Sequence, residues 1–223
     1  MVGAIKKGIG WDLLRVHRVI TRSLDMIIVK SQEFAEAGFP DAINQAGFTD
    51  YVRCFASLMH AHHTAEEELA FPYFRMKLPD EPYDAMLSEH SEMAWLVYDI
   101  RSMVGDPGGA ALDPGKLQNL ESVVADVRQI WRLHNPKEEK SFSPEHLDQV
   151  ISADEQISMG KLFSEHSARH AVPDYLIVAY FLMNLEGEDR EIVAQSLPTL
   201  VIEQLVPVVW KDKWEPMRPF LLP

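Results

Sequence analysis

Apolar residues recur at helical spacing along most of this chain, and this periodicity limits the folds open to it. One such stripe comprises Leu13, Leu14, His17, Ile20, Leu24, Ile27 and Ile28. Residues three and four positions apart share one face of a helix, so each stripe predicts a helix with a buried side. The four predicted long helices cover about residues 11–36, a stretch from Thr49 or Asp50 to Pro72, residues 83–97, and a stretch from about Pro114 to the region of His134.

These helices and their short connections predict an all-α fold, because no sustained alternation of apolar and polar residues indicates a strand. We expect an antiparallel four-helix bundle over residues 1–143 and a C-terminal helical extension, residues 144–223, that packs on it. Within the extension, residues 145–171 predict one helix. The apolar run from Tyr175 to Met183 is too short to cross a bilayer and predicts a buried helix.

Composition narrows the possible partners. The net charge of −13 argues against binding to nucleic acid or to an anionic membrane. No apolar run reaches the ~18 residues that a membrane span needs, and the first ten residues show no secretory signal, so a cytoplasmic location is expected. The single cysteine, Cys54, excludes a disulfide within the chain.

Metal-ligand residues fall on the predicted inner faces of the four helices. These candidate ligands are His17, His62, Glu66, His90, His134 and Glu138. Both glutamates follow a histidine by four residues, which places each pair on one helix face. A buried carboxylate is costly unless a positive charge neutralises it, and no lysine or arginine falls on the inner stripes. One or two divalent cations would supply that charge.

Two details of this ligand set stay open. His63 and Glu67 form a second pair with the same spacing. We prefer His62 with Glu66, which continue the apolar stripe, and expect His63, Glu67 and Glu68 to face outward or to lie behind the ligands.

The second open detail is in the fourth helix. Pro136 lies between His134 and Glu138, so a kink or bulge is expected there, and Glu139 could replace Glu138 as the ligand.

Another histidine pair, His166 and His170, also has metal-ligand spacing. Its neighbours in sequence are polar, and a histidine near a helix C-terminus also complements the helix dipole. We therefore favour a surface pair over a metal site there. His60 and His146 are interpreted as surface histidines.

The order of these motifs resembles the hemerythrin-like HHE cation-binding family over about residues 10–142. The resemblance is carried by His17, HHTAEEELAFP from His62 to Pro72, Glu89-His90, and HNPKEE from His134 to Glu139. It implies a bundle around two non-haem iron ions, oxo- or hydroxo-bridged, with zinc as a substitute. It also implies imidazole ligands at positions 17, 62, 90 and 134 and bridging carboxylates at 66 and 138. Oxygen-carrying hemerythrins have two histidines four residues apart in the third helix, whereas the earlier position here is Met86.

The resemblance implies a protein that binds or senses oxygen or a related small molecule, such as nitric oxide or peroxide. The alternatives are a di-iron oxidase or peroxidase, an iron storage or sensing protein, and a structural zinc site. A substrate pocket lined by Trp95, Tyr98 or the extension would favour an enzyme. The expected partner is thus a small diatomic ligand or peroxide, and the extension is a candidate surface for homo-oligomers.

Overall fold

The computed structural model describes residues 7–107, 109–171 and 173–223, and in these ranges the chain is helical with no strand. The all-α prediction is confirmed. The first part of the chain contains α1 (Ile9–Ala37), α2 (Ala42–Ala65), a π-helical segment (Glu66–Ala70), α3 (Phe71–Lys77), α4 (Tyr83–Val104), a 3₁₀ turn (Pro114–Lys116) and α5 (Leu117–Ser141).

The four long helices α1, α2, α4 and α5 form the predicted bundle. Helix α5 packs against α1 and α4, and α2 packs against α1 and α4. Each helix turns its apolar stripe inward, as shown by the fully buried side chains of Ile20, Phe55, Ile100 and Val124. The bundle core is therefore built from the periodicity seen in the sequence.

Helix α2 begins earlier than predicted, at Ala42 instead of Thr49 or Asp50. The carboxylate of Asp41 accepts a hydrogen bond from the Asn44 amide at 2.7 Å, which caps the helix start. Gly47 lies inside the helix. A Cβ atom at this position would come within 1.8 Å of the Pro216 carbonyl oxygen, so Gly47 permits close packing instead of ending a helix.

The sequence predicts that Pro72 and the segment 79–82 end the second helix, and the first half of this prediction is wrong. Helical structure continues through the π-helical segment Glu66–Ala70 into α3, which has Pro72 in its first turn. The chain leaves the helix after Lys77, just before the segment 79–82.

The extension consists of short helical elements. They are α6 (Pro144–Val150), α7 (Ala153–His170), α8 (Asp174–Met183), α9 (Gly187–Ser196), a π-helical segment (Val201–Val209), α10 (Lys211–Trp214) and a 3₁₀ segment (Glu215–Phe220). The single helix predicted over 145–171 is thus two helices. A capping box between Ser152 and Glu155 starts α7 anew.

Helix α2 forms the main contact between bundle and extension. It packs against α7, α8 and the segment Glu215–Phe220. Tyr180, Met217 and Phe220 are buried in the same core as the bundle residues, and α8 is buried as the sequence predicted. Among the described residues, no single helix is long and apolar enough to cross a membrane; Gly187–Ser196 and Val201–Val209 pass that test only together, across a bend of 103°.

Candidate metal centre

Seven buried histidines and glutamates meet in the middle of the bundle. They form two groups: His63, His90 and His134 in one, and His17, His62, Glu66 and Glu138 in the other. Within each group, one ligand atom from every residue lies within 4.8 Å of the others. All four long helices contribute, with the π-helical segment that continues α2.

Two carboxylates lie between the groups. Oε2 of Glu138 is 3.1 Å from Nε2 of His134 and 3.3 Å from Nε2 of His17. Oε2 of Glu66 is 3.4 Å from Nε2 of His62 and 3.6 Å from Nε2 of His90. Each carboxylate thus reaches histidines of both groups, which is the position of a ligand shared by two ions.

Many of the inward-facing atoms have no hydrogen-bond partner among the described residues. The orphaned atoms in the centre are Nε2 of His17, His62 and His63, Oε2 of Glu66, and both carboxylate oxygens of Glu138. An unsatisfied buried polar group costs about 1–3 kcal/mol, more when it is charged. Since imidazole nitrogens and carboxylate oxygens are ligands for transition metals, cations fit this donor set.

The pKa shifts in the centre follow from burial and from the neighbouring histidines and carboxylates. The pKa of Glu66 is raised well above its ordinary value, first by burial and then by the negative charges of Glu138 and Glu67. Burial and the other histidines hold the pKa of His62 well below its ordinary value. Burial would raise the pKa of Glu138, but the surrounding histidines hold it well below the ordinary range.

Outer carboxylates orient three of the imidazole rings. Nδ1 of His90 lies 3.0 Å from Glu67, Nδ1 of His134 lies 3.1 Å from Glu89, and Nδ1 of His17 lies 3.3 Å from Glu139. A carboxylate only accepts, so each Nδ1–H donates outward. The tautomer is then fixed with the Nε2 lone pair facing the centre, as in histidines that bind metals.

The structure brings together all six residues predicted as ligands and adds His63, which the sequence analysis placed outward or behind the ligands. Its side chain is 6% exposed, and its ring stacks on His90 with centroids 4.1 Å apart. The signal that could have revealed it is the nearly continuous apolar run from Tyr51 to Ala56. Such a run predicts a helix buried on more than one face.

His63 of α2 supplies an imidazole that the resemblance leads us to expect from the third long helix. Met86, which stands where a histidine was expected, is buried in an apolar cluster with Phe71 and Tyr83. The third imidazole of the His90 group comes from α2 instead. Within α5, the helix is continuous past Pro136, Glu138 is fully buried, and Glu139 is 37% exposed. Glu138 is therefore the inward carboxylate.

An apolar cavity of about 130 Å³ adjoins the His17 group and is lined in part by His62 and Glu66. Most of its wall is aliphatic or aromatic, with Phe71, Phe74, Phe142 and Phe163 among the lining residues. Phe163 and Ser167 belong to α7, so the extension closes one side. A small molecule in this cavity would lie beside the centre in largely apolar surroundings.

Comparison with known proteins agrees with this geometry. The sequence model of the "Hemerythrin HHE cation binding domain" matches residues 11–145, a range that contains all seven central residues. No curated protein and no solved structure gives a significant match. The family match spans more than half of the chain, and the chain therefore belongs to the hemerythrin HHE cation-binding domain family.

Proposed function

We propose that this chain is a non-haem di-iron protein that binds or senses oxygen or a related small molecule, such as nitric oxide or peroxide. The observation that carries the proposal is the pair of adjacent donor groups joined by Glu66 and Glu138. Two groups that share carboxylates suit two ions near each other better than one ion or two unrelated ions.

The number of donors supports iron with open coordination positions. One group offers three imidazoles and the other offers two, and both can share the two carboxylates. With an oxo or hydroxo bridge as a further shared donor, a six-coordinate ion would be filled in the group of three imidazoles and would keep a free position in the group of His17 and His62. Zinc, which favours four ligands, is the alternative metal.

The apolar cavity supports a small uncharged ligand. It lies beside His62, which belongs to the group with fewer imidazoles. Since a water molecule occupies about 30 Å³ in the liquid, a cavity of about 130 Å³ is large enough for a diatomic molecule. The metal centre would supply redox chemistry to a ligand bound in this cavity. Phe71 and Phe163 would limit the access of water to it.

A second candidate is a di-iron oxidase or peroxidase. The cavity is larger than a diatomic ligand needs, and α7 contributes Phe163 and Ser167 to its wall. A pocket wall from the extension is the feature expected of an enzyme with an organic substrate. Of the two aromatic residues expected to line such a pocket, Trp95 is 73% exposed and does not line this cavity, whereas Tyr98 lines a separate pocket of about 320 Å³ with His63 and His90.

The test begins with the metal content of the purified chain and the visible absorption of the reduced, iron-loaded protein. Two irons per chain and a reversible absorption change on adding and removing oxygen or nitric oxide would support binding. Sustained oxygen or peroxide consumption would support the enzyme. Stoichiometric zinc with no response to any of these molecules would contradict both.

A variant can connect the result to the cavity. Phe163→Trp should slow or weaken ligand binding while leaving the iron content at two, because residue 163 lines the cavity but offers no metal ligand. The matched control is Leu162→Trp, since Leu162 is an exposed neighbour in the same helix. Equal ligand binding in both variants would show that the cavity is not the route.

A further inference from the structure

A second histidine cluster lies outside the bundle centre, where α7 meets the segment that follows α2. Oε2 of Glu68 is 2.9 Å from Nε2 of His166. The rings of His166 and His170 are stacked, with centroids 4.3 Å apart and planes 18° apart. One ligand atom from each of these three residues lies within 4.8 Å of the other two.

A third imidazole lies nearby. The ring of His60, on α2, has its centroid 5.9 Å from that of His170. The cluster therefore joins three segments of the chain: α2, the π-helical segment and α7. The sequence showed only the spacing of His166 and His170, because Glu68 and His60 come from about a hundred residues earlier in the chain.

A simple ion pair accounts poorly for this arrangement. Glu68 is 61% exposed, and a pair with such an exposed partner is screened by solvent and contributes little. His166 is nevertheless buried at 4% exposure, and its Nδ1 has no hydrogen-bond partner within the described part of the chain. An imidazole that is buried at this cost, beside another imidazole and a carboxylate, has the surroundings of a metal ligand.

We propose that Glu68, His166 and His170 bind a zinc ion, with His60 or a water molecule as the fourth ligand. Two imidazoles and a carboxylate are a donor set that zinc accepts in tetrahedral geometry. Bonds of about 2.1 Å place tetrahedral ligand atoms about 3.4 Å apart, and the ligand atoms of this cluster lie within 4.8 Å of one another. The histidines four residues apart supply two donors from one helix face.

This site is separate from the bundle centre, but the two sites share the π-helical segment Glu66–Ala70. Glu68 follows Glu66 and Glu67, which contact the central histidines, within the same π-helical segment. A zinc ion on Glu68 and α7 would attach the extension to that segment. The proposal does not depend on which metal the centre holds or on what that centre does.

The experiment uses the full chain with its centre loaded with iron, titrated with Zn²⁺ in a calorimeter while iron content is measured in parallel. We expect one equivalent of zinc to bind with no loss of iron. Glu68→Gln and His170→Gln should each weaken zinc binding at least about tenfold, which is about 1.4 kcal/mol. Both side chains are at least partly exposed, so both variants should fold.

His146→Gln is the matched control, because His146 is a partly exposed histidine of another helix and belongs to neither cluster. It should bind zinc like the parent chain. No zinc binding by the iron-loaded parent would overturn the proposal. So would equal affinity in the parent, Glu68→Gln and His170→Gln.

Discussion

The Nε2 atoms of His90 and His134 lie 3.1 Å apart, although the residues belong to different helices and are 44 positions apart in sequence. Each ring donates its Nδ1–H to an outer carboxylate, Glu67 for one and Glu89 for the other. With each Nδ1–H donated outward, both Nε2 atoms face the same point in the centre. Two imidazole nitrogens this close together and facing one point are placed to bind the same cation.

His63 provides the first prediction. His63→Ala should weaken the binding of one of the two ions and lower the metal content after dialysis, because it removes one of three imidazoles from the His90 group and leaves the donors of the other group in place. Metal analysis of the dialysed protein measures this. His146→Ala serves as the control, and two tightly bound ions in His63→Ala would refute the role assigned to His63.

Adjacent glutamates of α5 provide the second prediction. Glu138→Gln should reduce the affinity for both ions, since Glu138 contacts histidines of both groups. Glu139→Gln should weaken only the ion bound by His17, by about 10- to 100-fold, because Glu139 orients that ring from behind. Metal titrations of the two variants distinguish the cases. A larger loss in Glu139→Gln would mean that the ligand is Glu139.

Close packing between bundle and extension predicts opposite effects for two glycine substitutions. Gly47→Ala should destabilise the chain by about 1–3 kcal/mol, because the new Cβ would overlap the Pro216 carbonyl oxygen. Gly160→Ala should stabilise it by about 0.5–1 kcal/mol, since the nearest atom would be 3.9 Å from the Cβ and alanine favours the helix. Urea unfolding of both variants measures the difference; equal stabilities would contradict the contact with Pro216.

The start of α7 should depend on pH through Glu155. Its hydrogen bonds from Lys77, from Ser152 and from Tyr73 lower the pKa of Glu155 from 4.5 to about 2. A lowered pKa in the folded state means that the stabilisation is complete above pH 4.5 and is lost as the pH falls through about 2. The difference in melting temperature between the parent and Glu155→Gln should therefore be constant from pH 8 to pH 5 and shrink below. A difference that grows on acidification would exclude this mechanism.

Local spacing accounts for the part of the fold that the sequence predicted. The four bundle helices and the six expected inward residues follow from stripes with a helical period, and each stripe is visible in a short window. His63 was not predicted to face inward because a stripe identifies only one face of a helix, whereas α2 is buried on more than one. The ring of His63 stacks on His90 of α4, beside the face that carries His62.

Contacts between distant segments account for what the sequence could not show. The need for a glycine at position 47 follows only from the close contact with Pro216, 169 residues further along the chain. From the sequence alone, Glu68 is expected to be a solvated charge. Its contact with His166 exists only because α7 packs beside it. The break before α7 has a local signal in Ser152 and Glu155, but the helical periodicity of the surrounding residues concealed it.

The π-helical segment Glu66–Ala70 makes the length of this part of the chain a constraint of its own. A π turn holds one residue more than an α turn, so deleting one residue there restores a regular helix and keeps the residues after it in nearly the same register. Phe71, whose ring stacks on His90 at 5.4 Å, would stay close to that position. An inserted residue has no such outlet and would rotate everything after it by about 100° relative to α2. Sequence drift in this stretch should therefore tolerate the loss of one residue far better than the gain of one.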